Sequence, residues 1–213
     1  MTFQIATLLL LSLSVGSFPE LSDEEIAACY TASYNYEKME SYGDAVKALL
    51  PVYENYKTAY TVNLRLGWLY YLKGNFANSL SHYAVAQTAV PGSIEPMLGK
   101  SLPLMAQLKW EEVEALMLGI LAIDAYNYYG SLRLSLALRM QAKAETAKKV
   151  AARMLGLYPS DVSFLVEIAL CEEALGNGKT ALRIFRNVLI LDPQNLEARN
   201  KVKAAETAGD RSS

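Results

Sequence analysis

Residues thirty-four apart in this chain are alike, and that period constrains the fold more than any other feature of the sequence. With Ile26 as the first residue of a unit, later units start at Tyr60, Ile94, Tyr128 and Val162, and Leu196 opens a sixth. Five full units fit with no insertion or deletion. The eighth residue of each is small: Ser33, Gly67, Ser101, Ser135 and Ala169. The twentieth reads Ala45, Ser79, Val113, Ala147 and Ala181. The twenty-fourth reads Leu49, Tyr83, Met117, Ala151 and Phe185, and the twenty-seventh Val52, Ala86, Ile120, Met154 and Val188. Small residues at two fixed places, amid apolar residues at helical spacing, suit two antiparallel helices where they touch. A repeat of this length cannot bury its apolar face alone, so the units must stack.

The stretch Leu64 to Ala86 shows one unit most clearly. Its apolar residues sit at helical spacing on both sides of a Lys73-Gly74-Asn75 break, which predicts a helix, a tight turn and a second helix. Leu66-Gly67, Tyr70, Gly74, Phe76, Tyr83, Ala86 and Pro91 fall where the tetratricopeptide repeat (TPR) pattern places such residues. The chain resembles that family from Ile26 to Asn195, most strongly in its second and fifth units. The resemblance implies an all-α protein, a TPR-type α-solenoid of antiparallel helix pairs wound as a right-handed superhelix. Together with the apolar leader, the repeats divide the chain into a signal peptide-like segment (1–17), five tandem repeats within 22–195 (26–59, 60–93, 94–127, 128–161, 162–195) and a C-terminal capping helix with its tail (196–213).

Local signals mark the boundaries. Ser22-Asp23-Glu24-Glu25 is a capping box that starts the first helix. Pro91, Pro159 and Pro193 stand where a second helix must stop. Pro51 falls inside a second helix and predicts a kink. Pro103 falls inside a first helix, where Gly99, four residues earlier, leaves room for its ring and predicts a bend without a break.

The leader is a separate matter. Ile5 to Val15 is an unbroken run of apolar and hydroxyl residues, too short as a helix to cross a hydrocarbon core of about 30 Å. Small residues follow at Val15-Gly16-Ser17, so the segment is read as a secretory signal cleaved near Ser17, although residues 2–4 bring no lysine or arginine. The expected location is therefore periplasmic or secreted. An uncleaved anchor that tethers the chain to a membrane, and an ordinary core helix, are the alternatives.

Composition narrows the function. A formal net charge of −2 argues against a nucleic-acid partner. There is no CxxC, and Cys29 and Cys171 fall in different units, so no disulfide is expected. The single histidine, His82, is read as a solvated residue on an outward face. Nothing has metal-ligand or nucleophile spacing, so no catalysis, cofactor or metal is expected.

Recognition remains. The TPR resemblance implies a concave face lined by the first helix of each pair. It places there Tyr30, Tyr34, Leu64, Arg65, Trp68, Tyr71, Leu98, Leu102, Met105, Leu132, Arg133 and Leu136. Such an apolar lining with aromatic anchors suits a protein or peptide partner. The competing reading is that the leucines pack between adjacent first helices; Trp68 and Tyr71, with polar edges, favour the groove. Arg65 and Arg133 occupy the same place in two units and are read either as partners for an anionic group or as solvated arginines. The carboxylate clamp of one TPR subclass, with lysine at the fifth place and asparagine at the ninth, is absent. The expected function is a non-catalytic interaction scaffold; the alternative is a self-associating or membrane-tethered assembly subunit.

Overall fold

The computed structural model describes residues 21–210 of the 213, so the leader-like segment 1–17 and the tail 211–213 lie outside the described residues. Among the described residues there are eleven helices and no strand. They are α1 (Asp23–Lys38), α2 (Tyr42–Asn55), α3 (Tyr60–Leu72), α4 (Phe76–Ala89), α5 (Glu95–Ala106), α6 (Trp110–Ile123), α7 (Tyr128–Met140), α8 (Ala144–Leu155), α9 (Val162–Ala174), α10 (Gly178–Leu191) and α11 (Leu196–Asp210). Each helix packs on the next, and α3 also meets α5, as α7 meets α9. The fold is an all-α solenoid of helical hairpins.

Short-range chemistry sets the ends. Ser22 closes the capping box of α1: its Oγ accepts from the Glu25 amide at 3.2 Å, and the Ser22 amide donates to Glu25 Oε2 at 2.8 Å. Asn75, Asn127 and Asp161 cap α4, α7 and α9 by accepting from the amides of Asn78, Gly130 and Phe164. Every hairpin turns through one left-handed residue at the fifteenth place of its unit: Glu40, Gly74, Leu108, Ala142 or Gly176, with φ from 57° to 81°. The next amide then donates to the carbonyl five residues back, as Asn75 does to Tyr70 at 2.8 Å and Lys143 to Leu138 at 2.9 Å. Only Gly74 and Gly176 take this conformation without crowding a Cβ.

The core is a row of clusters. The residues at the twentieth, twenty-fourth and twenty-seventh places of the five units are each at most 4% exposed. Small residues let the paired helices close: Ser79 Oγ donates to the Gly67 carbonyl at 2.7 Å, and Ser135 Oγ to the Ala147 carbonyl at 3.0 Å.

Two prolines and one glycine show how the helices adjust to their sequence. Helices α2 and α5 run without a break through Pro51 and Pro103. Gly99 also makes room for a ring the sequence reading did not consider. A Cβ there would come within 2.2 Å of the Tyr83 side chain, and one at Gly67 within 2.8 Å. Tyr83 lies in a slot between α3 and α5 that only two glycines leave open, and burial raises its phenol pKa. At the C-terminal end α11 packs on α10 and buries Ala198 completely.

Candidate functional site

The first helices of the first four hairpins, α1, α3, α5 and α7, carry all twelve residues singled out in the sequence. The structure separates these into two kinds. Tyr30 and Trp68 pack on the core beneath α1 to α3, Leu98 and Met105 on the core between α5 and α8, and Leu132 on that of α8 and α9. Leu64, Leu102 and Leu136 are half-buried yet belong to none of the core clusters, and Tyr34 is 50% exposed. The packing reading thus applies to the first set and the groove reading to the second. Trp68 belongs to both. Its indole donates from Nε1 to Glu37 Oε1 at 2.7 Å, its ring meets the Tyr71 ring at 5.6 Å, and the rest of it covers core.

Two hollows lie along these helices. One, of about 350 Å³, is walled by Tyr30, Tyr34, Thr61, Leu64, Arg65 and Trp68 on α1 and α3. The other, of about 700 Å³, is walled by Met105, Leu132, Arg133, Leu136, Val162, Ser163, Val166 and Glu167, and is closed at one end by Asp192 to Glu197. Tyr71, Leu98 and Leu102 line neither. The structure therefore brings together five of the twelve residues at one end and four towards the other.

Arg65 is not solvated, which corrects that expectation, and Arg133 is anchored by one edge only. Arg65 is only 9% exposed, forms an ion pair with Glu37, donates from Nη2 to Ser33 Oγ at 3.3 Å and lies 3.9 Å above the Tyr34 ring. Arg133 is half-buried and donates from Nη1 to the Leu98 carbonyl at 2.7 Å and to Ser101 Oγ at 2.6 Å. Burial draws its pKa below the ordinary arginine value.

His82 is also corrected. Its ring stacks on Tyr70 and meets the edge of Tyr53, each at 5.2 Å, and Nδ1 bonds Asn63 Oδ1 at 2.9 Å. Asn63, which is fully buried, in turn donates to the carbonyls of Lys57 and Ala59. Burial lowers the imidazole pKa. Cys171 is buried and its thiol is pushed up to about 11, which keeps it protonated and unreactive.

The functional residue the sequence reading missed is Glu37, which seals Arg65 and orients Trp68. Its signal was an acid on one first helix and a base on the next, 28 residues later. Among the described residues no group of three or more histidine, cysteine, aspartate or glutamate side chains is arranged to hold a metal ion. No described helix is long and apolar enough to cross a membrane.

An array of helical hairpins with glycine and serine at the helix contacts defines a class, the α-solenoids. Residues 30–94 match the tetratricopeptide repeat family, and the same helical hairpin recurs along the described residues. No curated protein sequence matches it. Solved structures do. A tetratricopeptide repeat protein from Parabacteroides merdae superposes with a TM-score of 0.75 at 14% identity, covering 84% of this chain and 71% of that one. MamA from Desulfovibrio magneticus, beginning at its residue 41, superposes at 0.72 and 14%, covering 83% and 99%. A second MamA, designated MSR-1, does so at 0.64 and 22%, covering 81% and 99%. Identities this low show a shared fold alone.

Proposed function

We propose that the protein is a non-catalytic interaction scaffold that holds an apolar polypeptide segment along its odd-numbered helices. One observation carries this reading. Leu64, Leu102 and Leu136 stand partly exposed on three successive first helices and serve no core cluster, and Leu64 and Leu136 each line one of the two hollows. Apolar side chains held in a row at fixed spacing, without a structural task, suit a partner that covers them. Rigid aromatic rings at the α1–α3 end add contact area at low entropic cost.

The test places a photocrosslinking amino acid at position 64, 102 or 136, and, as a control, at position 118 on the exposed face of α6 in place of Leu118, which is 52% exposed. Adducts with other polypeptides from the three groove positions, and none from position 118, are expected. Adducts of twice the chain's own mass from the groove positions would instead favour self-association. Adducts from position 118 alone would overturn the reading. From the sequence of residues 1–17 we also propose that the protein is exported and that the segment is cleaved near Ser17, with a membrane tether as the alternative. N-terminal sequencing of the native protein distinguishes them.

A further inference from the structure

Consecutive odd-numbered helices meet along one line, where the twelfth residue of a unit faces the sixth residue of the next, 28 positions later. Along the chain these pairs are Glu37 and Arg65, Tyr71 and Gly99, Met105 and Arg133, Arg139 and Glu167, Glu173 and Lys201. Three of them are ion pairs. Glu37 pairs with Arg65, Lys201 Nζ lies 2.6 Å from Glu173, and Arg139 grips Glu167 with two bonds of 3.1 and 3.0 Å, from Nε and Nη2. The Tyr71 and Gly99 junction carries no charge and is filled by the Tyr83 ring behind it. Among the described residues, only at Met105 and Arg133 does a cation on this line face an uncharged side chain.

The Arg133 guanidinium is fixed but incompletely used. Nη1 is held by the Leu98 carbonyl and Ser101 Oγ, both on α5. Nε and Nη2 make no hydrogen bond, and no carboxylate lies within 4.0 Å, among the described residues. That free edge is the one Arg139 presents to Glu167. The acids of the same hollow are engaged elsewhere: Glu167 with Arg139, Asp192 with the Gln194 amide and Asn195, and Glu197 with Lys201 at 3.9 Å. Met105, Leu132 and Leu136 line the hollow beside Arg133, with Glu167 and the polar residues between Asp192 and Glu197 on its other walls, and the guanidinium lies 5.6 Å from the centre of the Tyr129 ring. A carboxylate there would form two charge-assisted bonds to a guanidinium already held in place.

We propose that Arg133 receives an acidic side chain of the bound polypeptide, so that the partner completes the junction this chain leaves open. The proposal rests on the groove reading above. Arg133 lies partway along the array, with Leu64 and Leu102 on one side and Val166 and Leu196 on the other. A segment passing through supplies an internal aspartate or glutamate; a terminal carboxylate would end it halfway.

The test uses the full chain and an array of acetylated, amidated dodecapeptides built from Leu, Val, Phe, Ala and Ser, with a central Glu, Gln or Lys. Glu-centred peptides are expected to bind about 10- to 100-fold more tightly than their Gln counterparts. Arg133→Gln should remove that preference. Met105→Glu should also remove it, by supplying the acid from within, whereas Met105→Gln should keep it. Equal binding of Glu and Gln peptides overturns the proposal; if Leu136→Asp, folded by circular dichroism, still abolishes both, the groove reading survives. Gln-centred peptides with a free C-terminus that match the Glu series overturn the internal acid in favour of a terminal one. Failure of every peptide to bind overturns both readings.

Discussion

Arg65 and Arg133 are the same residue at the same place in two units, two periods apart, yet the first is sealed and the second is open. The difference lies 28 residues upstream of each. Glu37 pairs with Arg65 and accepts from Trp68 as well, so the charge at that junction is balanced within the solenoid, although the buried Arg65 Nε makes no hydrogen bond. Met105 offers Arg133 no charge, and the guanidinium is left with one edge towards the hollow. An arginine in a repeat array is therefore structural or available according to its neighbour on the previous hairpin, and its own position does not decide which.

The sealed side should be the fragile one. Glu37→Gln leaves Arg65 buried without its counter-ion and should cost about 3 kcal/mol of stability, read from the denaturant midpoint. Arg133→Gln, measured without any partner, should change stability by under about 1 kcal/mol. The uncharged junction between them has its own weak point. Gly99→Leu drives a side chain into the Tyr83 ring and should cost on the order of 1–3 kcal/mol, with Gly67→Leu similar. Either result within error of the parent protein would remove the slot from the account.

The turns sharpen the contrast between units in a milder way. Ala142→Gly, at φ 60°, should stabilise by about 0.5–1 kcal/mol, because alanine strains a conformation that Gly74 and Gly176 adopt freely. Thermal unfolding would show it. The smallest effect expected is on pH. His82 titrates below its ordinary value of 6.5 in the folded chain because it is buried, so the unfolded chain binds its proton first as pH falls. Its contribution to stability is present above about 6.5 and is lost as pH falls from there through the folded pKa. Unfolding at pH 7.5 and 5 should show a larger difference for the parent than for His82→Gln, and equal differences would exclude His82 as the source.

Much of the fold was legible because one helix touching another needs small residues at fixed places, and those recur in the sequence. Ser33, Gly67, Ser101, Ser135 and Ala169 are all buried, as that requirement demands. What was not legible depends on the phase between hairpins. The period of a single helix says which residues share a face, but not which residue of the next hairpin comes opposite. That is why Arg65 was read without its ion-pair partner and Glu37 was passed over. The second demand on Gly99 was missed for the same reason: the Tyr83 ring it accommodates comes from α4, sixteen residues earlier, whereas Pro103 lies in its own helix. His82 read as solvated because Tyr53, Asn63 and Tyr70 reach it from two other helices, α2 and α3.

The contrast between the two arginines is tested most directly by paired double-mutant cycles in equilibrium unfolding, one on Glu37→Gln with Arg65→Gln and one on Met105→Gln with Arg133→Gln. The account predicts a coupling of about 2 kcal/mol in the first and one within about 0.5 kcal/mol of zero in the second. Equal couplings in the two cycles, or the larger one at Met105 and Arg133, would contradict it.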